Sequence, residues 1–111
     1  MFNESQELPR GTLELMILKV LSLEPMHGWG IIKRIQQLSK DLFQVNQGSL
    51  YPALQRLKKK GWIHSEWRVT ENSRRARYYT LTESGQEKLG LERGAWERST
   101  EAVGWILQAE S

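Results

Sequence analysis

Residues 46–62, NQGSLYPALQRLKKKGW, hold the chain's densest set of groups suited to recognition chemistry. The Gln47 side-chain amide offers a donor and an acceptor together, the pattern that pairs with a base edge. Ser49 and Tyr51 add hydroxyls. Arg56, Lys58, Lys59 and Lys60 follow, and such cations neutralise phosphates. A second basic cluster, Arg74, Arg75 and Arg77, stands in NSRRARYY. Residues 56–81 carry eight basic side chains against two acidic. Residues 1–55 balance at five and five, and residues 82–111 carry three against six. The net charge of +3 therefore conceals a basic block suited to a polyanion. An isolated lysine run is more often a solvated face; here its placement among the elements below argues for contact.

Other chemistries find little support. There is no cysteine, which excludes a disulfide framework and a thiolate metal site. His27 and His64 have no carboxylates at ligand spacing, so no metal is expected. His27 reads as a helix cap or a structural histidine. Gly28-Trp29-Gly30 lacks the third glycine and the preceding strand of a dinucleotide loop. Ser49 has no evident base, and no paired carboxylates suggest acid–base work. Neither an enzyme nor a cofactor is expected.

The elements that must position these groups follow from periodicity. Leu50, Leu54 and Leu57 recur at i, i+4 and i+7, one buried helix face, and Gly61 marks its stop. Pro52 interrupts this pattern; its missing donor costs least if it lies in the first turn or just beyond. Upstream, Thr12 is a plausible cap for LELMILKVLSLE, which is apolar on nearly every side and so asks for cover on more than one. Residues 24–27 break that helix. A second helix starts near Gly28, with Ile31, Ile35 and Leu38 inward. After Gly61 the period falls to two: Ile63, Ser65, Trp67 and Val69 alternate with polar residues. TENSRRA makes a turn with residues 72–75 at its tip, and residues 77–81 return as a strand. A last helix runs from the Thr82 cap to about Gln108.

This order predicts a mainly α fold with a small β-hairpin: a winged helix-turn-helix over residues 1–81, with an N-terminal arm, and a long dimerisation helix over residues 82–111. Four glycines weaken that last helix, and its Leu89, Trp96, Val103 line needs packing, either on the first helix or on a second subunit. Leu13, Ile17, Leu89, Trp96, Val103 and Ile106 are the expected homodimer interface. Met16, Trp96 and Trp105 are the expected site for a small aromatic effector. The polar MFNESQELPRG is no signal peptide, and no apolar run approaches a membrane span, so a cytoplasmic location is expected.

Four stretches also carry a resemblance: RGTLELMILKVL (10–21), HGWGIIKRI (27–35), GSLYPALQRLKKKGWI (48–63) and RRARYYTLTESG (74–85). In this order and spacing they resemble the short form of the PadR family of bacterial transcriptional regulators. The resemblance implies a winged-helix repressor, homodimeric through its last helix and often responsive to small molecules. Trp29 departs from the tyrosine more common there, which alters the local surface. Two functions follow as expectations. The first is a DNA-binding repressor of a palindromic operator in double-stranded DNA, using Gln47, Ser49 and Tyr51 for bases and the basic block for phosphates. The second is a module that captures planar aromatic compounds at a subunit interface. Salt-dependent duplex binding separates them.

Overall fold

The computed structural model describes residues 11–111. The N-terminal arm expected before Gly11 lies outside the described residues. In chain order the elements are α1 (Thr12–Leu23), β1 (Met26–His27), α2 (Gly28–Leu38), α3 (Gln47–Lys59), β2 (Ile63–Val69), β3 (Arg75–Leu81) and α4 (Glu83–Leu107). Four helices thus surround a three-stranded antiparallel sheet of order β1-β3-β2. This is the expected winged-helix order, with one strand added. Residues 26 and 27, expected only to break a helix, pair with Tyr79 and Tyr78 of β3.

The core lies where α1, α2 and α3 meet the sheet. Leu50, Ala53, Leu54 and Leu57 of α3 are all at 0 % exposure, as the leucine spacing requires. On α2 the buried stripe is Ile31, Ile32 and Ile35, and Leu38 is exposed. Leu38 is the last helical residue, where the chain turns away through left-handed Lys40 and Asp41. The first helix starts on Gly11, in the left-handed region at φ 89°, and Thr12 is already helical and caps nothing.

The many apolar faces of α1 are largely covered within its own chain. It packs against α2, α3, α4 and β3. Ile17, Leu18, Val20 and Leu21 are buried, and Leu13, Leu15 and Met16 pack half-buried on the same core. Ile17, expected at a subunit interface, is fully enclosed and has no surface to give a partner. Leu89 is likewise inside the chain's own core. On α4 only Gly85 and Leu89 are buried along 25 residues. Its far half carries Trp96, Val103, Trp105, Ile106 and Leu107, each at least half exposed. Among the described residues no helix is long and apolar enough to cross a membrane.

Candidate nucleic-acid interface

Asn46 caps α3: its side-chain oxygen accepts from the Ser49 N–H at 2.8 Å. The N–H groups of Gln47 and Gly48 have no acceptor within the helix and lie at the positive end of its dipole. Asn46, Gln47 and Gly48 are exposed, so this end of α3 faces outward while its leucines fix the other face in the core. Ser49 is half-buried. Tyr51 is 40 % exposed, and its ring lies over Gly28 at the start of α2. A Cβ at Gly28 would stand 2.5 Å from the Tyr51 hydroxyl oxygen, so any side chain there would force this ring to turn. Tyr51 is therefore a packing residue between two helices as well as a hydroxyl at the surface.

Tyr79 stands close by. Burial pushes its phenol above the ordinary tyrosine value, nearby Tyr51 adds to the rise, and Arg77 opposes it. Tyr51, Tyr79 and Arg77 thus share one neighbourhood that joins α3 to β3. The hairpin register places Trp67 opposite Arg77 and Val69 opposite Arg75. Arg75, expected at the turn, is the first residue of β3. The turn itself is closed by the Thr70 N–H donating to the Arg74 carbonyl at 2.6 Å, with Ser73 left-handed at φ 58°. Arg74 remains exposed there.

The lysine run closes α3 at the end opposite Gln47, about 18 Å away at 1.5 Å per residue. The Trp62 N–H donates to the Leu57 carbonyl and the Gly61 N–H to that of Lys58, with Gly61 left-handed at φ 79°. This pair of bonds is the Schellman ending, and cations there also favour the helix dipole. The four cations differ in freedom. Arg56 pairs with Glu14 of α1 at 3.3 Å. Lys58 is half-buried. Lys60 lies 5.5 Å over the Trp62 ring, which Lys88 also covers at 4.7 Å. Lys59 is exposed, and among the described residues it has no ion-pair partner.

The end of α3 is tied to the start of α4. Thr82 and Ser84 hydroxyls both donate to the Gly61 carbonyl, at 2.7 and 3.0 Å. The Thr82 oxygen also accepts from the Gly85 N–H, as the expected cap. Gly85 has no room for a side chain, because the Trp62 carbonyl occupies that space.

An outward helix start and a cationic hairpin on one protein are the parts of a winged-helix reader, and comparison with known proteins agrees. Residues 17–91 match the transcriptional regulator PadR-like family. This chain belongs to that family. The PadR-like chain is 34 % identical over 98 residues to the transcriptional regulator Rv3488 of Mycobacterium tuberculosis, covering 88 % of each. Among solved structures, a transcriptional regulator from Clostridium thermocellum matches with a TM-score of 0.81 and 27 % identity, over 89 % of this chain and 96 % of that one. A PadR family transcriptional regulator from Eggerthella lenta matches at 0.79 and 30 %, over 95 % and 89 %.

A second feature of this PadR-like regulator is a cleft of ≈ 470 Å³ between α1, the end of α2 and α4. Leu15, Met16, Leu38, Phe43 and Trp96 line it. Met16 and Trp96, expected at an effector site, thus line one cleft. Trp105 does not join them: it lies nine residues further along α4, about 13 Å on, and is 65 % exposed.

Sequence reasoning missed three tryptophans as cation platforms. Trp29 carries Lys33 at 5.8 Å, Trp62 carries Lys60 and Lys88, and Trp67 carries Arg75 and Arg77. The Trp29–Lys33 pair was legible as i, i+4 neighbours on a helix. The Trp67 set required the hairpin register, and the Trp62 set required the fold.

Proposed function

We propose that this PadR-like regulator is a homodimeric repressor that reads a palindromic operator with the start of α3. Gln47 and Ser49 meet base edges in the major groove, with Tyr51 beside them. Lys59 and Arg74 are the main phosphate contacts; Arg56, Lys58 and Lys60 are weaker ones because each is paired, half-buried or stacked. The observation that carries this reading is the exposed N-terminus of α3, held rigidly by four fully buried side chains on its opposite face. The dimerisation helix spans residues 82–111, and the interface uses Trp96, Val103, Trp105 and Ile106 of α4, with Leu13 at its edge. Support comes from the apolar stripe itself: Leu89 packs in the core, while Trp96 and Val103, seven and fourteen residues on, continue the same line into solvent. A planar aromatic effector enters the Met16–Trp96 cleft and releases the operator.

Selection of bound duplexes from random DNA tests the reading. Two inverted half-sites with centres about one helical turn apart are expected. Failure to enrich any sequence, with no salt-dependent duplex binding, refutes it. The second reading, an aromatic-capturing module, has the apolar cleft in its favour; it predicts saturable ligand binding without any DNA affinity.

A further inference from the structure

The two faces of the β2–β3 hairpin treat their arginines differently. On the outer face Arg68 is neutralised by Glu66 at 3.1 Å and lies 5.2 Å over the Tyr78 ring. On the opposite face Arg75 and Arg77 lie 5.1 and 5.2 Å over one ring, that of Trp67. Among the described residues neither has a carboxylate within ion-pair distance. The register produces this set, since Trp67 opposes Arg77 and Val69 opposes Arg75. The same face carries buried Ile63 and Tyr79 at its base, so it is the face that continues from the helical body. Toward the tip it opens to solvent, with Trp67 at 55 % and Val69 at 70 % exposure.

Two like charges on one indole repel each other, and the attraction of each for the ring quadrupole opposes that repulsion. The result is a pair of guanidinium groups held against one ring, with no carboxylate partner among the described residues. Such a pair suits a site of concentrated negative potential. Double-stranded DNA has one in the narrow minor groove of A·T-rich segments, which attracts inserted arginines. The spacing also fits. Residues two apart on a strand are about 6.8 Å apart, close to two base-pair steps of about 3.4 Å. Exposed Val69 and the Trp67 edge supply apolar surface of the kind that minor-groove proteins lay against the duplex.

We propose that Trp67 is a positioning residue that orders Arg75 and Arg77 for an A·T-rich minor groove flanking the sequence met by α3. This rests on the DNA-binding reading above and adds to it a preference at bases that α3 does not touch. It also separates Arg75 and Arg77 from Arg74, whose place in the turn suits simple phosphate contact.

The experiment uses the full chain and duplexes that share one selected core and differ only in A·T-rich or G·C-rich flanks. Fluorescence anisotropy gives the affinity for each. The wild type should favour A·T-rich flanks on the order of tenfold, the scale of one or two base-pair preferences. Trp67→Leu should bring that ratio close to one while leaving core discrimination and the salt slope in place, because both cations remain. Trp67→Tyr, which keeps an aromatic face, should retain most of the ratio. Arg75→Lys with Arg77→Lys should also lose it, since ammonium groups keep the charge but lack the planar stacking fork; this variant decides the matter if Trp67→Leu fails to fold. Equal wild-type affinity for both flanks, or an unchanged ratio in Trp67→Leu, overturns the proposal. Absence of binding to any duplex overturns the underlying DNA-binding reading and this proposal with it, whereas core-specific binding without flank preference overturns this proposal alone.

Discussion

A methyl group at Gly28 would stand 2.5 Å from the Tyr51 hydroxyl oxygen and 2.9 Å from its Cζ. Neither atom can retreat without turning the ring, which is 40 % exposed and so has solvent on one side to turn toward. Gly28→Ala should therefore destabilise the protein by about 1 kcal/mol, the low end of overpacking, because the ring can swing outward. Urea denaturation checks this, and adding Tyr51→Ala should recover part of the loss, a coupling that a double-mutant cycle measures. The basic residues give a second test at this scale. Losing one phosphate contact reduces the slope of log affinity against log salt by roughly 0.9. Lys59→Ala should show that change, and Lys60→Ala a smaller one, because Trp62 already holds Lys60. Equal changes for both would show that the stacking does not restrain Lys60. The leucine face of α3 and the capping role of His27 were legible in the sequence, since each rests on local spacing. His27 Nδ1 accepts from the Gly30 N–H at 2.9 Å. The Gly28–Tyr51 contact was not legible, because it joins residues 23 positions apart through the crossing of two helices.

Pro52 is the sixth residue of α3, past the first turn, so the helix lacks the bond that residue 52 would donate to the Gly48 carbonyl. Its side is exposed, and the leucines around it are buried. The core holds the helix together across the gap. Pro52→Ala should stabilise the protein, by less than the ~3 kcal/mol intrinsic penalty of an interior proline, because the unfolded chain also gains freedom. A fall in the urea midpoint would show that proline fits this turn better than alanine. The junction between α3 and α4 is the other element-scale device. Thr82→Ala removes a cap and one of two bonds to the Gly61 carbonyl, and should cost about 1–2 kcal/mol. Element order, the hairpin and the extent of α4 were readable from periodicity and turn residues. The two-residue β1 was not, since so short a strand has no period and exists only because β3 lies beside it. The start of α1 also differed: the left-handed turn at Gly11 supplants the Thr12 cap.

At the scale of the whole molecule, α4 extends its apolar line past the core, and the molecule measures 62 Å along its longest axis. A second copy packed along that line would cover Trp96, Val103 and Ile106. Replacing Trp96 and Val103 with glutamate should give monomer or insoluble protein, and sedimentation showing the wild type to be monomeric at micromolar concentration would refute the dimer. The sequence pointed to two helices for this role, and the fold leaves mainly one. The pattern on α1 is largely satisfied inside its own chain, which periodicity alone could not separate from a need for a partner. Saturable quenching of tryptophan fluorescence by planar aromatic compounds should disappear in Trp96→Ala and persist in Trp105→Ala, since only Trp96 lines the cleft. In this reading the start of α3 recognises the core sequence while Lys59 and Arg74 hold the backbone. Titration of wild type and Gln47→Ala against a selected operator and a scrambled duplex, at several salt concentrations, tests it most directly. Gln47→Ala should narrow the gap between the two duplexes by about 1–3 kcal/mol with the salt slope nearly unchanged. Full discrimination in that variant, or no salt-dependent binding by the wild type, would contradict it.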